Sequence, residues 1–151
     1  EYDPASRKVL EDAVESCLSP EGLFSVLLEY INISLSLLEK DWANRSLGQI
    51  NEAKEYIEAN YMNSLTLEDV GAHTGFNPSY FSSLFKKETG TSFVEYLSMI
   101  RIEKAKDLLM ESDLRIQDVC LMVGYSDVKY FSKLFTKHTG LKPKEYRKIF
   151  L

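Results

Sequence analysis

Cysteine is scarce in this chain. Two in 151 residues, Cys17 and Cys120, lie too far apart for a disulfide scaffold and suggest a reducing, cytoplasmic setting. Histidine is equally rare: His73 and His138 lack Cys, His or acidic neighbours at metal-ligand spacing. No Gly-rich phosphate loop and no nucleophile elbow is present. No run of eighteen apolar residues occurs, so no membrane span is expected. Low-complexity stretches are missing too. Asp69, Asp118, Glu95 and Glu145 are acids that recur, but at helix starts they complement the helix dipole and need no catalytic role. These absences argue against an enzyme, a metal site or a cofactor. No signal peptide is visible, and the first residue is Glu1 instead of methionine, so the expectation is a piece of a longer protein.

What is present is a chain 44% hydrophobic and 27% charged, a globular composition with residues enough for a core. The net charge of −5 is unevenly spread. Residues 1–64 hold five Lys/Arg against twelve Asp/Glu, whereas residues 65–151 hold thirteen against eleven. A partner with phosphates responds to local charge and not to the sum, so the second portion is the candidate nucleic-acid binder, with modest and salt-sensitive non-specific affinity.

The strongest feature is an internal duplication. Leu67–Tyr96, LEDVGAHTGFNPSYFSSLFKKETGTSFVEY, recurs in altered form as Ile116–Tyr146, IQDVCLMVGYSDVKYFSKLFTKHTGLKPKEY. Asp69/Asp118, Val70/Val119 and Gly75/Gly124 align directly. After one extra residue in the second copy, so do Tyr80/Tyr130, Phe81/Phe131, Ser82/Ser132, Leu84/Leu134, Phe85/Phe135, Lys87/Lys137, Gly90/Gly140 and Tyr96/Tyr146.

Each copy predicts helix, tight turn, helix. Thr66 with Asp69 reads as a capping box. Gly71 and Cys120 are small enough to let two helices cross closely, and Gly75 and Gly124 supply the positive φ of the turn. Asn77-Pro78 and Asp127 open the second helices, which stop at Gly90 and Gly140. The apolar members Phe81, Leu84, Phe85, Phe131, Leu134 and Phe135 face inward. The opposite face then carries Ser79, Ser82, Ser83 and Lys86 in one copy, and Val128, Lys129, Ser132, Lys133 and Thr136 in the other. Ser92 with Glu95 caps a connecting helix that ends around 111–113. About eighteen residues span about 27 Å, so with the helix diameters the two units could sit about one DNA turn, about 34 Å, apart. Pro143 starts a last helix whose Tyr146, Ile149 and Phe150 close the core. The fold class is all-α: helix-turn-helix units at 66–90 and 115–140 within a domain 45–151, preceded by a helical segment 1–44.

The run Ile116-x-x-Val119-Cys120-x-x-Val123-Gly124-Tyr125-Ser126-Asp127-x-x-Tyr130-Phe131-Ser132-x-x-Phe135, continued by Gly140, Pro143, Tyr146 and Arg147, resembles the signature of the AraC/XylS family of transcription regulators. The resemblance covers roughly residues 50–150. It implies sequence-specific binding of double-stranded DNA, activation of transcription as in most relatives, and contact with RNA polymerase. The family's base-reading positions fall on Ser79, Ser82, Ser83, Lys129, Ser132 and Lys133, and Val128 could touch a thymine methyl. Asn77, Tyr80, Lys86, Lys87, Thr136 and Lys137 are candidate phosphate contacts, some of them also caps. Gly71 departs from the family's usual alanine, at an expected cost to its helix of about 1 kcal/mol. A helical protein-interaction module without DNA binding is the alternative.

Before the duplication, Ser6–Cys17 predicts a short helix and Ser19-Pro20 opens a longer one. On it Phe24, Leu28, Ile31, Leu35, Leu38 and Trp42 alternate steps of four and three, the seam of a coiled coil. The stripe either packs within its own chain or forms a homodimer through residues 20–42. Polar residues 41–46, with Gly48 beyond, mark an expected joint, after which Ile50, Ala53, Ile57 and Tyr61 form a separate amphipathic helix. The acidic segment resembles the region that links a receiver or sensor domain to such modules in two-component regulators.

Overall fold

The computed structural model describes residues 19–150, together with residues 8, 11, 12 and 14. Lys8, Glu11, Asp12 and Val14 are helical; the rest of the expected Ser6–Cys17 helix, Cys17 included, lies outside the described residues. Seven helices follow, and among the described residues there is no strand: α1 Pro20–Asn60, α2 Leu67–Thr74, α3 Pro78–Thr89, α4 Phe93–Glu111, α5 Ile116–Met122, α6 Val128–Thr139 and α7 Pro143–Phe150. Two compact units divide between Ser46 and Leu47.

Two expectations are corrected along α1. A separate helix from Ile50 is replaced by one continuous helix of 41 residues that runs through the expected joint at 41–46, although the division into two units, between Ser46 and Leu47, falls beside that joint. Gly48 does not interrupt it, because a lone glycine costs a helix only about 1 kcal/mol and its neighbours Arg45, Leu47 and Gln49 favour helix. The second correction concerns hydropathy. An 18-residue window of α1 reaches a mean hydropathy of 1.3, so by length and composition this helix could cross a membrane. Counting consecutive apolar residues missed it. Ser25, Glu29, Asn32 and Ser36 break the runs, while the leucines and isoleucines between them keep the average high.

In the first unit the stripe of α1 lies largely at the surface: Phe24, Leu38 and Trp42 are 64%, 65% and 61% exposed, and Leu28, Ile31 and Leu35 are also exposed. The second unit holds two cores. One collects Ile50, Ala53 and Ile57 of α1 with Val70, Phe81, Leu84, Phe85, Phe93 and Leu97; the other collects Ile102, Ala105, Leu109, Val119, Val123, Phe131, Phe135 and Tyr146. Helix α4 runs through both, giving Phe93 and Leu97 to the first and Ile102, Ala105 and Leu109 to the second. Each core has a Phe pair one helical turn apart and a tyrosine set edge-on against it, Tyr96 on Phe85 at 5.3 Å and Tyr146 on Phe135 at 5.4 Å.

Helix α7 departs from expectation at its end. Tyr146 is buried, but Ile149 and Phe150 are exposed, with the Phe150 ring tilted against Tyr146, centroids 4.5 Å apart. An eight-residue helix turns one face to the core, and Pro143 and Tyr146 fill it. At Gly71 a cost was expected and a fit is found. A Cβ added there would stand 2.8 Å from the Phe76 carbonyl oxygen, so the crossing of α2 with the turn requires glycine.

Candidate nucleic-acid interface

Helices α3 and α6 are built alike, from the cap inward. The Asn77 side chain accepts from Ser79 N at 3.0 Å, and Pro78 takes the first helical position, where a missing N–H costs nothing. The Asp127 carboxylate accepts from Lys129 N at 2.7 Å and Tyr130 N at 3.2 Å. Fully buried Phe81 and Phe85, and Phe131 and Phe135, then anchor each helix by one side. What remains outward is set by the 3.6-residue period.

On α3 that outward face is nearly neutral at its start. Ser79 and Ser83 are exposed and Ser82 is half-buried. The Ser83 hydroxyl donates to Ser79 O at 3.2 Å, leaving its lone pairs for a donor from outside. Tyr80 is 39% exposed and leans on Phe76, ring centroids 5.3 Å apart. Lys86 and Lys87 are exposed in the last turn, Lys87 with Glu88 at 3.9 Å.

On α6 Lys129, Lys133 and Lys137 are all exposed and recur every fourth residue, a basic line along one side. Among the described residues no carboxylate lies within ion-pair distance of them. Ser132 and Thr136 are half-buried, and Thr136 donates its hydroxyl to Ser132 O at 2.8 Å. Val128 is half-buried and packs against the second core. The candidate residues thus fall on two helix faces, one hydroxyl-rich and one cationic.

The acids and histidines sit elsewhere. Asp69 and Glu95 close reciprocal capping boxes with Thr66 and Ser92. Bonds from the Thr66 side chain and backbone hold the Asp69 carboxyl below its usual range; Ser92 does the same for Glu95, with the fields of Lys86 and Lys137 adding to it. His73 stacks on Tyr56 at 4.1 Å, beside Glu52, and so ties α2 to α1. His138 is exposed in the last turn of α6. Cys120 is a buried free thiol that donates to Tyr125 O at 3.3 Å, and burial pushes its pKa up, with Asp127 adding to the shift. Among the described residues no three His, Cys, Asp or Glu side chains converge to hold a metal ion.

Sequence reasoning missed Arg101. It donates to Tyr61 O and to Asn63 O, both at 2.8 Å, and its guanidinium lies 4.9 Å from the Tyr125 ring centre. A signal was available: it is the one charge in the apolar run Met99-Ile100-Arg101-Ile102 of α4.

Comparison with known proteins points one way. Residues 51–149 match a protein-family profile described as a helix-turn-helix domain. The lactose operon transcription activator of Staphylococcus xylosus is 41% identical over 101 residues, 67% of this chain and 36% of that protein. The regulatory protein PocR of Salmonella typhimurium is 32% identical over 143 residues, 95% of this chain and 47% of its own length. The chain therefore spans less than half of either relative. Among solved structures, the C-terminal domain of AraT, a response regulator from Geobacillus stearothermophilus, superposes with a TM-score of 0.65 at 37% identity, covering 67% of this chain and 84% of that one.

Proposed function

We propose, since this chain belongs to the AraC-type helix-turn-helix family of DNA-binding transcription regulators, that it reads DNA with both α3 and α6, in two successive major grooves. The observation that carries this is the duplicated, core-anchored helix with an outward polar face. Because the two copies run in the same order, translation and not a two-fold axis relates the half-sites of one protomer. Ser79, Ser82, Ser83, Lys129, Ser132 and Lys133 read base edges, lysine suiting guanine O6/N7 and a back-bonded serine suiting the amino group of adenine or cytosine. Asn77, Tyr80, Lys86, Lys87, Thr136 and Lys137 lie toward phosphates, with Val128 at the margin. The protein works in the cytoplasm as an activator that contacts RNA polymerase, and a receiver or sensor domain governs it; the likeness to an operon activator and to a response-regulator output domain supports this. Selection of bound sequences from random DNA, followed by footprinting, tests the reading. Protection is expected in two adjacent grooves on one face of the duplex. A footprint confined to one groove at saturating protein overturns it.

The exposed stripe of α1 pairs with a second copy of itself. Leaving each large apolar side chain in water forgoes roughly 1.5–3 kcal/mol of burial. A helix lying wholly in lipid would be apolar all round, whereas Ser25, Glu29, Asn32 and Ser36 share one polar side of α1. Tethering two DNA-binding modules also raises their effective concentration on paired sites. Sedimentation of the chain against a version lacking residues 1–44 is the measurement, with a dimer expected only for the former. Monomers in both cases, or flotation of the chain with lipid vesicles, would end the pairing idea.

A further inference from the structure

The two cores of the second unit meet where three segments converge, and Arg101 stands at the crossing. Helix α4 packs Ile100 against the first core and gives Ile102 to the second, so Arg101 is the residue between them. Its fork bridges Tyr61 O and Asn63 O, carbonyls in the segment just beyond the end of α1. Tyr61 O stands one residue past the end of α1, where carbonyls lack intrahelical donors, while Asn63 O also accepts from Leu65 N at 2.8 Å; a planar cation with several N–H groups reaches both carbonyls at once. Tyr61 itself packs against both cores.

The other side of the guanidinium faces the turn that launches α6. Tyr125 lies under it at 4.9 Å, two residues before the Asp127 cap. Gly124 has φ +86, and a Cβ added there would stand 2.8 Å from Met62 O, 2.9 Å from Tyr61 O and 3.0 Å from Arg101 Nη2. Backbone therefore touches backbone between the end of α1 and the second turn, with Arg101 holding both. Gly75, at the same place in the first repeat, has nothing within 4 Å of an added Cβ. The contact belongs to the second copy and cannot be a requirement of the helix-turn-helix itself.

We propose that Arg101 is a positioning residue for DNA recognition: by clamping the Tyr61–Asn63 segment onto the Gly124–Tyr125 turn it fixes the separation of α3 and α6, and so the half-site spacing the protein accepts. Its role needs no contact with a base. The inference rests on the reading that both helices engage DNA. Two rigidly held modules bind a pair of half-sites with one optimal spacing; loosened modules bind less tightly at the optimum and tolerate neighbouring spacings better.

The test uses the full chain, its selected site, and a series in which the half-sites are moved apart or together one base pair at a time. Wild type should show a sharp optimum. Arg101→Met should lose about tenfold at that optimum and flatten the profile, while affinity for DNA carrying one half-site changes by less than about twofold. Arg101→Lys keeps the charge but not the fork, and should flatten the profile by less; it also serves if the methionine variant does not fold. A merely structural arginine would lower all affinities in proportion and leave the profile's shape intact, which overturns the proposal. If wild type itself is indifferent to spacing, the two-groove reading fails first and the clamp falls with it.

Discussion

The two repeats share a frame and differ in what surrounds it. Both bury a Phe pair, set a tyrosine edge-on against it, and end the second helix at a left-handed glycine. Yet the first repeat begins with a Thr66–Asp69 capping box, whereas Arg115 opens the second with no side-chain cap bond. The first crosses its helices at Gly71 and the second at Cys120, whose thiol fits against Tyr125 O. The turn of the first is open; that of the second is packed under the end of α1. The exposed face of the first is mostly hydroxyl and that of the second is basic. Duplication thus preserved what holds the helices and released what they present. Both copies lean on α1, the first through Ile50, Ala53 and Ile57 in its core and the second through the backbone at its turn.

The turn glycines offer the largest test of that difference. Both have φ near +80, so alanine costs roughly 1–2 kcal/mol at either from backbone strain alone. At Gly124 the new methyl would also press on two carbonyl oxygens that belong to backbone, adding overpacking of roughly 1–3 kcal/mol. Urea unfolding should therefore show Gly124→Ala at about 3 kcal/mol or more and Gly75→Ala at about half that. Equal losses would mean that the second turn is as open as the first.

The outward faces give the next contrast. Lys133→Ala, on the basic line of α6, should cost about 1–3 kcal/mol on the cognate site and relax preference at one base pair. Lys87→Ala, at the end of α3 beside Glu88, should weaken all sequences alike and lower the salt slope by about 1. Gel shifts on cognate and random DNA at several salt concentrations separate the two. Matching losses on both DNAs for both variants would show the roles misassigned.

Local chemistry is what could be read in the chain beforehand. The caps at Thr66, Asn77, Ser92 and Asp127, the stop at Gly90 and the inward Phe pairs each depend on a few neighbouring residues, and all are found as the spacing predicts. The continuity of α1 was not legible: a polar stretch with a glycine is compatible with both a joint and an exposed helix surface. What Arg101 and Gly124 touch was opaque for another reason, although Arg101 stands out as a lone charge in an apolar run. Their contacts lie far back along the chain, at Tyr61, Met62 and Asn63. Nothing in the alignment of Gly124 with Gly75 tells which of the two turns has a neighbour. For the candidate DNA-contacting residues, the period assigns a side of the helix, and Val128 shows that a residue on that side can also pack against the core.

The smallest expected effect concerns acid, and it again separates the repeats. Asp69 owes its depressed pKa first to the Thr66 hydroxyl and then to the Thr66 backbone N–H, against a small opposing effect of burial. Glu95 owes its own to the same pair of bonds from Ser92, with Lys86 and Lys137 helping. A carboxylate whose folded pKa lies below its unfolded one adds stability that is complete above the ordinary carboxylate range. That stability fades as pH falls through the depressed value. Melting temperature should therefore decline on acidification below that range, and modestly, because both groups are solvent-exposed. Thr66→Ala removes the bonding partner and should flatten the decline. Arg115→Ser would place a hydroxyl three residues before Asp118 and so give the second repeat the capping box it lacks, raising stability near neutral pH and steepening the decline. If neither variant alters the slope of melting temperature against pH, the boxes are geometry without energetic consequence, and the difference between the two helix starts counts for nothing.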